Sequence, residues 1–243
     1  MDKDEQTLVE HLTDLRKVLL RSLIFFIFCF AVCLVSINRL IPLLSNQHEL
    51  VMLGPLDVIK MYTGIAGSIS LGLSLPFIAY QVWLFVKPAL TEKESRLSIM
   101  FFPAILFSFI GGLCFGFFII FPTIYQFLML LGESHFSMMI TAREYFSFLL
   151  MSTIPFGFLF EVPLLLLFLT AIGIVTPAML SSMRKYAYVI MAVVSALITP
   201  PDLFSQILVL IPLIGLYEIG VLLSRARFKK LNAVKGTSPS NEL

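Results

Sequence analysis

From Tyr145 to Met183 the chain carries a single formal charge, Glu161, set in the run FGFLFEVP at 156–163. At about 1.5 Å per helical residue this stretch is long enough to cross a ~30 Å hydrocarbon core, with Glu161 near mid-depth. An acid at that depth costs at least about 2.5 kcal/mol on insertion scales, so it has to face protein or trapped water rather than lipid. Two readings follow. Glu161 is a protonated acid tying two helices together through one hydrogen bond, or it is a polar docking or conduction point in a membrane machine.

The rest of the chain repeats the pattern. Apolar residues make up 58% of the 243 positions and charged residues 13%, against about 25% charged in a soluble chain. Six apolar runs are read as membrane spans, at roughly 19–37, 61–86, 97–131, 145–174, 186–199 and 203–223. The expected fold is all-α: a polytopic membrane protein with six transmembrane helices, the last two short. Residues 1–230 then form one integral membrane domain, and 231–243 a polar cytoplasmic tail. The run at 97–131 is longer than one span requires and must tilt, bend or protrude; Pro103, Gly111, Gly112 and Pro122 supply places to bend. The run at 186–199 amounts to about 21 Å of helix, short of the hydrocarbon thickness.

Ahead of the first span, Leu8, Leu12, Leu15 and Leu19 recur at helical spacing, with Asp14, Arg16 and Lys17 on other faces. This predicts an amphipathic helix lying on the membrane surface and running into the first span. Residues 1–21 are not expected to be a cleaved signal, being too charged and too long, with no small-x-small site before Ile37.

Charge placement sets the expected topology. Of the 17 lysines and arginines, only Arg39, Lys60 and Arg143 fall in one set of alternating loops, and all the others fall in the opposite set. The lysine- and arginine-rich set is therefore expected in the cytoplasm, together with both termini. A net charge of +2 implies nothing about nucleic acid, and none is expected as a partner.

Catalytic chemistry finds little support. His11, His48 and His135 all lie outside the spans, Asp202 sits in a loop, and neither an HExxH nor a GxSxG motif occurs. Cys29, Cys33 and Cys114 lie in apolar runs without further ligands nearby, so packing rather than metal binding is expected. No phosphate-binding loop is present, and no cofactor is expected. Glu218 falls near the cytoplasmic end of its run, where snorkelling towards Arg225 accounts for it. Two cytoplasmic acids, Asp14 on the surface helix and Glu94 in the loop after the second span, are surrounded by basic residues. Singly each reads as solvated surface charge. As a pair they would grip a guanidinium group through charge-assisted, bidentate hydrogen bonds.

Five segments carry a resemblance: HLTDLRK at 11–17, YQVWLFVKPALTEKE at 80–94, FGFFIIFP at 115–122, FGFLFEVP at 156–163 and ITPPDLFSQ at 198–206. In this order and at these depths the sequence resembles the TatC family, the multispanning component of the twin-arginine protein translocase. The likeness runs from His11 to about Arg225. It implies a protein of the cell membrane, oligomeric within its translocase. Such a protein recognises the paired arginines of a folded precursor's signal peptide at the cytoplasmic face and assembles single-span partners of the TatA/TatB type. The family's signal-binding acids match Asp14 and Glu94, with Arg16, Phe85 and Pro88 beside them. The first acid is usually glutamate in the family; aspartate here keeps the charge and shortens the reach by one methylene. Pro42 and Asp202 match positions of the extracytoplasmic cap. Glu161 matches the family's buried glutamate, and Thr199 and Gln206 match polar spots where a partner's transmembrane helix docks. The alternative class is a proton-coupled small-solute transporter using Glu161 as its proton site.

Overall fold

The computed structural model describes residues 3–44, 50–86, 92–133 and 139–236. Helix α1 runs from Lys3 to Val35 without interruption. The predicted surface helix and first span are therefore one rod, about 50 Å long at 1.5 Å per residue. No glycine or proline lies between Lys3 and Val35 to break it. After a turn at Ser36 comes the short helix α2 (Ile37–Leu44), which carries Pro42.

Helix α3 (Pro55–Val86) starts six residues ahead of its apolar run, with Pro55 at the first helical position. It packs antiparallel along α1, where the Phe25 and Phe77 rings stack at 4.2 Å and Phe30 lies against Gly67. Ser70 and Ser74 are buried on α3, and each donates to a carbonyl of its own helix, Gly67 O at 3.0 Å and Ser70 O at 2.6 Å. Internal satisfaction of this kind is what a hydrocarbon surround demands.

The over-long third run is not one unbroken α-helix. It forms α4 (Glu92–Phe115), a π-helical segment Gly116–Ile120, and α5 (Phe121–Glu133). The Phe121 N–H reaches back to Gly116 O, five residues away. Pro122 follows at once and has no N–H to continue an α ladder, which gives the wider turn a local cause.

Helix α6 (Ala142–Ala171) is the hub and packs against α3, α4, α5, α8 and α9. Its start is fixed by Thr141, whose Oγ1 accepts the Glu144 N–H at 3.2 Å and donates to Glu144 Oε2 at 2.9 Å. The Val51 N–H donates to Ile140 O and the Ala142 N–H to Val51 O, a short parallel bridge that ties the residues before α3 to the start of α6. Tyr145 Oη donates to Leu44 O at 3.2 Å, bringing in α2. Helix α6 ends at Gly173, whose φ of 79° lets the Ile174 N–H turn back to Leu169 O. A short α7 (Pro177–Ser182) leads into α8 (Arg184–Ile198) and α9 (Leu203–Gly236).

Among the described residues, five stretches are long and apolar enough to cross a membrane: they lie in α1, α3, α4–α5, α6 and α9. The sixth apolar helix, α8, has 15 residues, about 22 Å, and is short as expected. The expected end of the last span at 223 is not the end of its helix. α9 continues to Gly236 because no glycine or proline intervenes from Ser224 to Lys235, so its basic residues, Arg225, Arg227 and Lys229 among them, ride on a helical extension.

The bundle has two distinct ends. α2 and residues 139–141 mark the cap end, where α3, α6 and α9 begin. α1, α4 and α8 begin at the opposite, basic end, together with α7 and the extension of α9.

Candidate functional site

At the basic end, Asp14 lies on α1 with its side chain 54% exposed, and it accepts a hydrogen bond from Lys17 Nζ at 2.9 Å. An exposed pair of this spacing is worth well under about 1 kcal/mol, so an incoming cation can displace the lysine at little cost. Arg16 is exposed on the same helix, and Phe85 is half-buried in the last turn of α3. The antiparallel register of α1 and α3 brings Asp14 to a level close to the end of α3. Glu94 falls in the first turn of α4, the next helix in the chain, rather than in a loop as expected. Backbone topology thus brings the segments bearing Asp14, Phe85 and Glu94 to one end of the bundle. Pro88 lies outside the described residues.

Glu161 sits in α6, half-buried, with Oε1 buried and without a hydrogen-bond partner among the described residues. The neighbouring backbone is tightly held. Ser108 Oγ donates to Phe160 O at 2.7 Å from α4, and Gly112 and Gly116 let α4 and the π segment close directly onto the α6 backbone at Phe156 and Thr153. Two residues on, Pro163 has no N–H for the Leu159 carbonyl, and Gly220 of α9 packs against it. Glu161 is thus a polar side chain flanked by a rigid crossing on one side and a helix irregularity on the other.

The predicted docking residues lie at the turn between α8 and α9. Thr199 is only 6% exposed and caps the end of α8, and its Oγ1 donates to Ser195 O at 2.9 Å. Gln206 is half-buried in the first turn of α9, and its N–H donates to Asp202 O at 3.2 Å. Asp202 is the N-cap of α9: Oδ1 accepts the Ser205 N–H at 2.7 Å, while Oδ2 is buried without a partner among the described residues. Pro42 is exposed on α2, at the same cap end. Of these four, only Gln206 combines a side chain with no hydrogen bond among the described residues and partial access from outside. Thr199 is engaged within its own helix.

One polar constellation was not anticipated. Glu218 does not reach for Arg225; it accepts from Arg184 Nη2 at 2.6 Å through Oε2 and from Tyr188 Oη at 2.6 Å through Oε1. Arg225 instead donates to Ser181 Oγ at 2.8 Å. Tyr217 Oη donates to Leu180 O, and Thr170 donates to Ser224. These bonds lock α6, α7, α8 and α9 together at the basic end. The sequence held a signal for the central pair: Arg184 and Glu218 are equally far from Pro201, so a helical hairpin turning there brings them to the same depth.

Comparison with known proteins agrees with this architecture. Residues 10–212 match the family described as TatC: Sec-independent protein translocase protein (TatC). The chain is 40% identical over 232 residues to the Sec-independent protein translocase protein TatCd of Bacillus subtilis (strain 168), covering 95% of this chain and 96% of that one. It is 38% identical over 239 residues to TatCy of the same strain, covering 95% and 93%. Its fold superposes on the crystal structure of the twin arginine translocase receptor TatC with a TM-score of 0.79 and 32% identity, covering 89% of this chain and 99% of that one.

Proposed function

The chain belongs to the TatC family and is a multi-pass membrane subunit of a Sec-independent protein translocase; on that premise we propose that it reads paired arginines in the signal peptides of precursor proteins, through Asp14 and Glu94. The observation that carries this reading is the exposed Asp14 carboxylate, held among the described residues by Lys17 alone, at the end of the bundle where α4 begins with Glu94 in its first turn. Two carboxylates on an accessible surface suit two guanidinium groups, because each pair can form two parallel charge-assisted hydrogen bonds. Lysine cannot make that planar contact, so a lysine pair should bind less well. The basic end is cytoplasmic by the placement of arginine and lysine, so both acids face the compartment from which precursors arrive.

The second half of the proposal concerns assembly. Single-span partners of the TatA/TatB type dock along α8 and α9. Tyr186, Val189, Ile190, Val193 and Leu197 form an exposed apolar stripe on α8 that leads to the turn holding Gln206. A polar residue on a partner helix would meet Gln206 at matching depth. The small-solute reading of Glu161 has no comparable support, since the relatives described above are all protein translocase proteins.

The test is binding of a twin-arginine signal peptide to the purified full chain in nanodiscs. Charge-assisted hydrogen bonds contribute about 1.5–3 kcal/mol each, so Glu94→Ala and Asp14→Ala should each weaken binding roughly tenfold or more. Asp14→Glu should be tolerated. Wild-type affinity in both alanine variants would refute the assignment.

A further inference from the structure

Away from these regions, a groove of about 540 Å³ opens between α3 and α6 at the cap end. Its volume lies within the ~300–1,000 Å³ usual for a small-molecule site. Lys60, near the start of α3, and Arg143, in the first turn of α6, stand at its mouth. Its floor is apolar, formed by Met61, Ile65 and Phe146, all buried. Further along, it is walled by Gly64 and Ser68 of α3 and by Leu150, Ile154 and Pro155 of α6.

We infer that this groove holds one acyl chain of an anionic phospholipid, with the headgroup phosphate between Lys60 and Arg143. Three observations converge. First, the length fits. Lys60 to Ser68 spans about 12 Å of helix and Arg143 to Pro155 about 18 Å, which brackets the ~15 Å hydrocarbon depth of a single leaflet. Second, the polarity is graded as in a lipid, with cations where α3 and α6 enter the bilayer and an apolar trough below them. Third, the charge is unusual for this end of the molecule. Only Arg39, Lys60 and Arg143 of the 17 lysines and arginines belong to the loops of this side, and two of those three meet at one groove. Asp57 tethers Arg143 only loosely, at 3.4 Å, and does not line the groove, so the lined charge remains positive and favours an anionic headgroup over a zwitterionic one.

Gly64 gives the test its sharpest variant. A Cβ added there meets nothing within 4 Å, so a side chain begun at Gly64 starts in open space at the groove wall, and Gly64→Leu is directed into it. The full chain is purified in detergent with equal amounts of phosphatidylglycerol and phosphatidylcholine, and the retained lipid is read by native mass spectrometry. The wild type should keep one phosphatidylglycerol in preference to phosphatidylcholine. Gly64→Leu should lose that lipid while its melting temperature holds. Lys60→Gln, at an exposed position, should keep a bound lipid but lower the preference for phosphatidylglycerol about fivefold. Equal retention by the wild type and Gly64→Leu would overturn the inference, as would a wild type that takes the two lipids without preference. Loss of signal-peptide binding in Gly64→Leu with lipid retention unchanged would assign the groove to a peptide, and so also overturn it. Neither lipid readout depends on Asp14 or Glu94, so the groove and the signal-binding proposal can fail separately.

Discussion

Gly111 and Gly112 are neighbours on α4 with opposite surroundings, and replacing each by alanine should push stability in opposite directions. A Cβ on Gly111 would meet nothing within 4 Å. A Cβ on Gly112 would lie 2.8 Å from the Phe156 carbonyl carbon and 2.9 Å from Gly157 Cα, and closer still to the Phe156 oxygen. Ordinary contact begins at 3.4 Å, so α4 and α6 would have to separate by roughly 0.6 Å or more. All three obstructing atoms are backbone, which leaves no rotamer to absorb the clash. A gap of that size forfeits about a quarter to a half of each dispersion contact across the crossing, and overpacking costs about 1–3 kcal/mol in general. Against this stands the better helix propensity of alanine, up to about 1 kcal/mol. Gly112→Ala should therefore be destabilised by up to about 2 kcal/mol after the full propensity gain, whereas Gly111→Ala should match or exceed the wild type. The assay is the melting temperature of the purified chain in detergent, followed by helical circular dichroism. Equal melting temperatures for the two variants would refute the claim that α4 and α6 meet backbone to backbone beside Glu161.

Three further outcomes are expected. Glu218→Leu should lower the melting temperature by the equivalent of about 1–3 kcal/mol, because it strands Arg184, whose Nε is already buried without a partner among the described residues, whereas Glu218→Gln should retain much of the network; equal losses would mean that the carboxylate's hydrogen bonds contribute nothing beyond its volume. Gln206→Leu should weaken copurification of a single-span partner by about 0.6–2 kcal/mol, and Thr199→Val by less, since Thr199 already donates within α8; a larger loss for Thr199→Val would reverse the assignment. Glu161→Gln should retain most precursor transport and Glu161→Leu should lose more, measured as export of a twin-arginine precursor; a Gln variant as inactive as the Leu variant would make proton exchange, not hydrogen bonding, the role of Glu161.

Legibility from sequence divides along physical lines. Helix content and the positions of the long spans could be read because lipid demands long uncharged runs, and such runs leave no doubt in the one-dimensional pattern. Boundaries beyond the apolar runs were less legible. Nothing in hydropathy says that α1 continues straight from its polar segment into the span, or that α9 persists to Gly236; in both cases the absence of glycine and proline was the better guide. The length of the third run demands a tilt, bend or protrusion, but the π segment found before Pro122 depends on hydrogen-bond register that no residue pattern specifies. Glu94 shows the same limit: its run of charges reads as a loop, yet Glu92–Phe115 is helical from its start.

The polar residues inside the spans divide by whether their partner was visible. The partner of Glu218 was misread because a single helix was considered, and Arg225 on that helix was the nearest cation. The true partners, Arg184 and Tyr188, belong to the preceding helix and become neighbours only once the chain is folded about Pro200 and Pro201. Glu161 poses the opposite case. Hydropathy locates it at once, and the structure then supplies no hydrogen-bond donor for its buried Oε1 among the described residues. In a medium without water, a polar atom left in that state is costly unless another helix or a water held between helices pairs with it. Glu218 is satisfied within the monomer and therefore holds the fold together. Glu161 leaves Oε1 without such a partner among the described residues, although the Phe109 backbone reaches its carboxyl, so it contributes less to holding the helices together than Glu218 does.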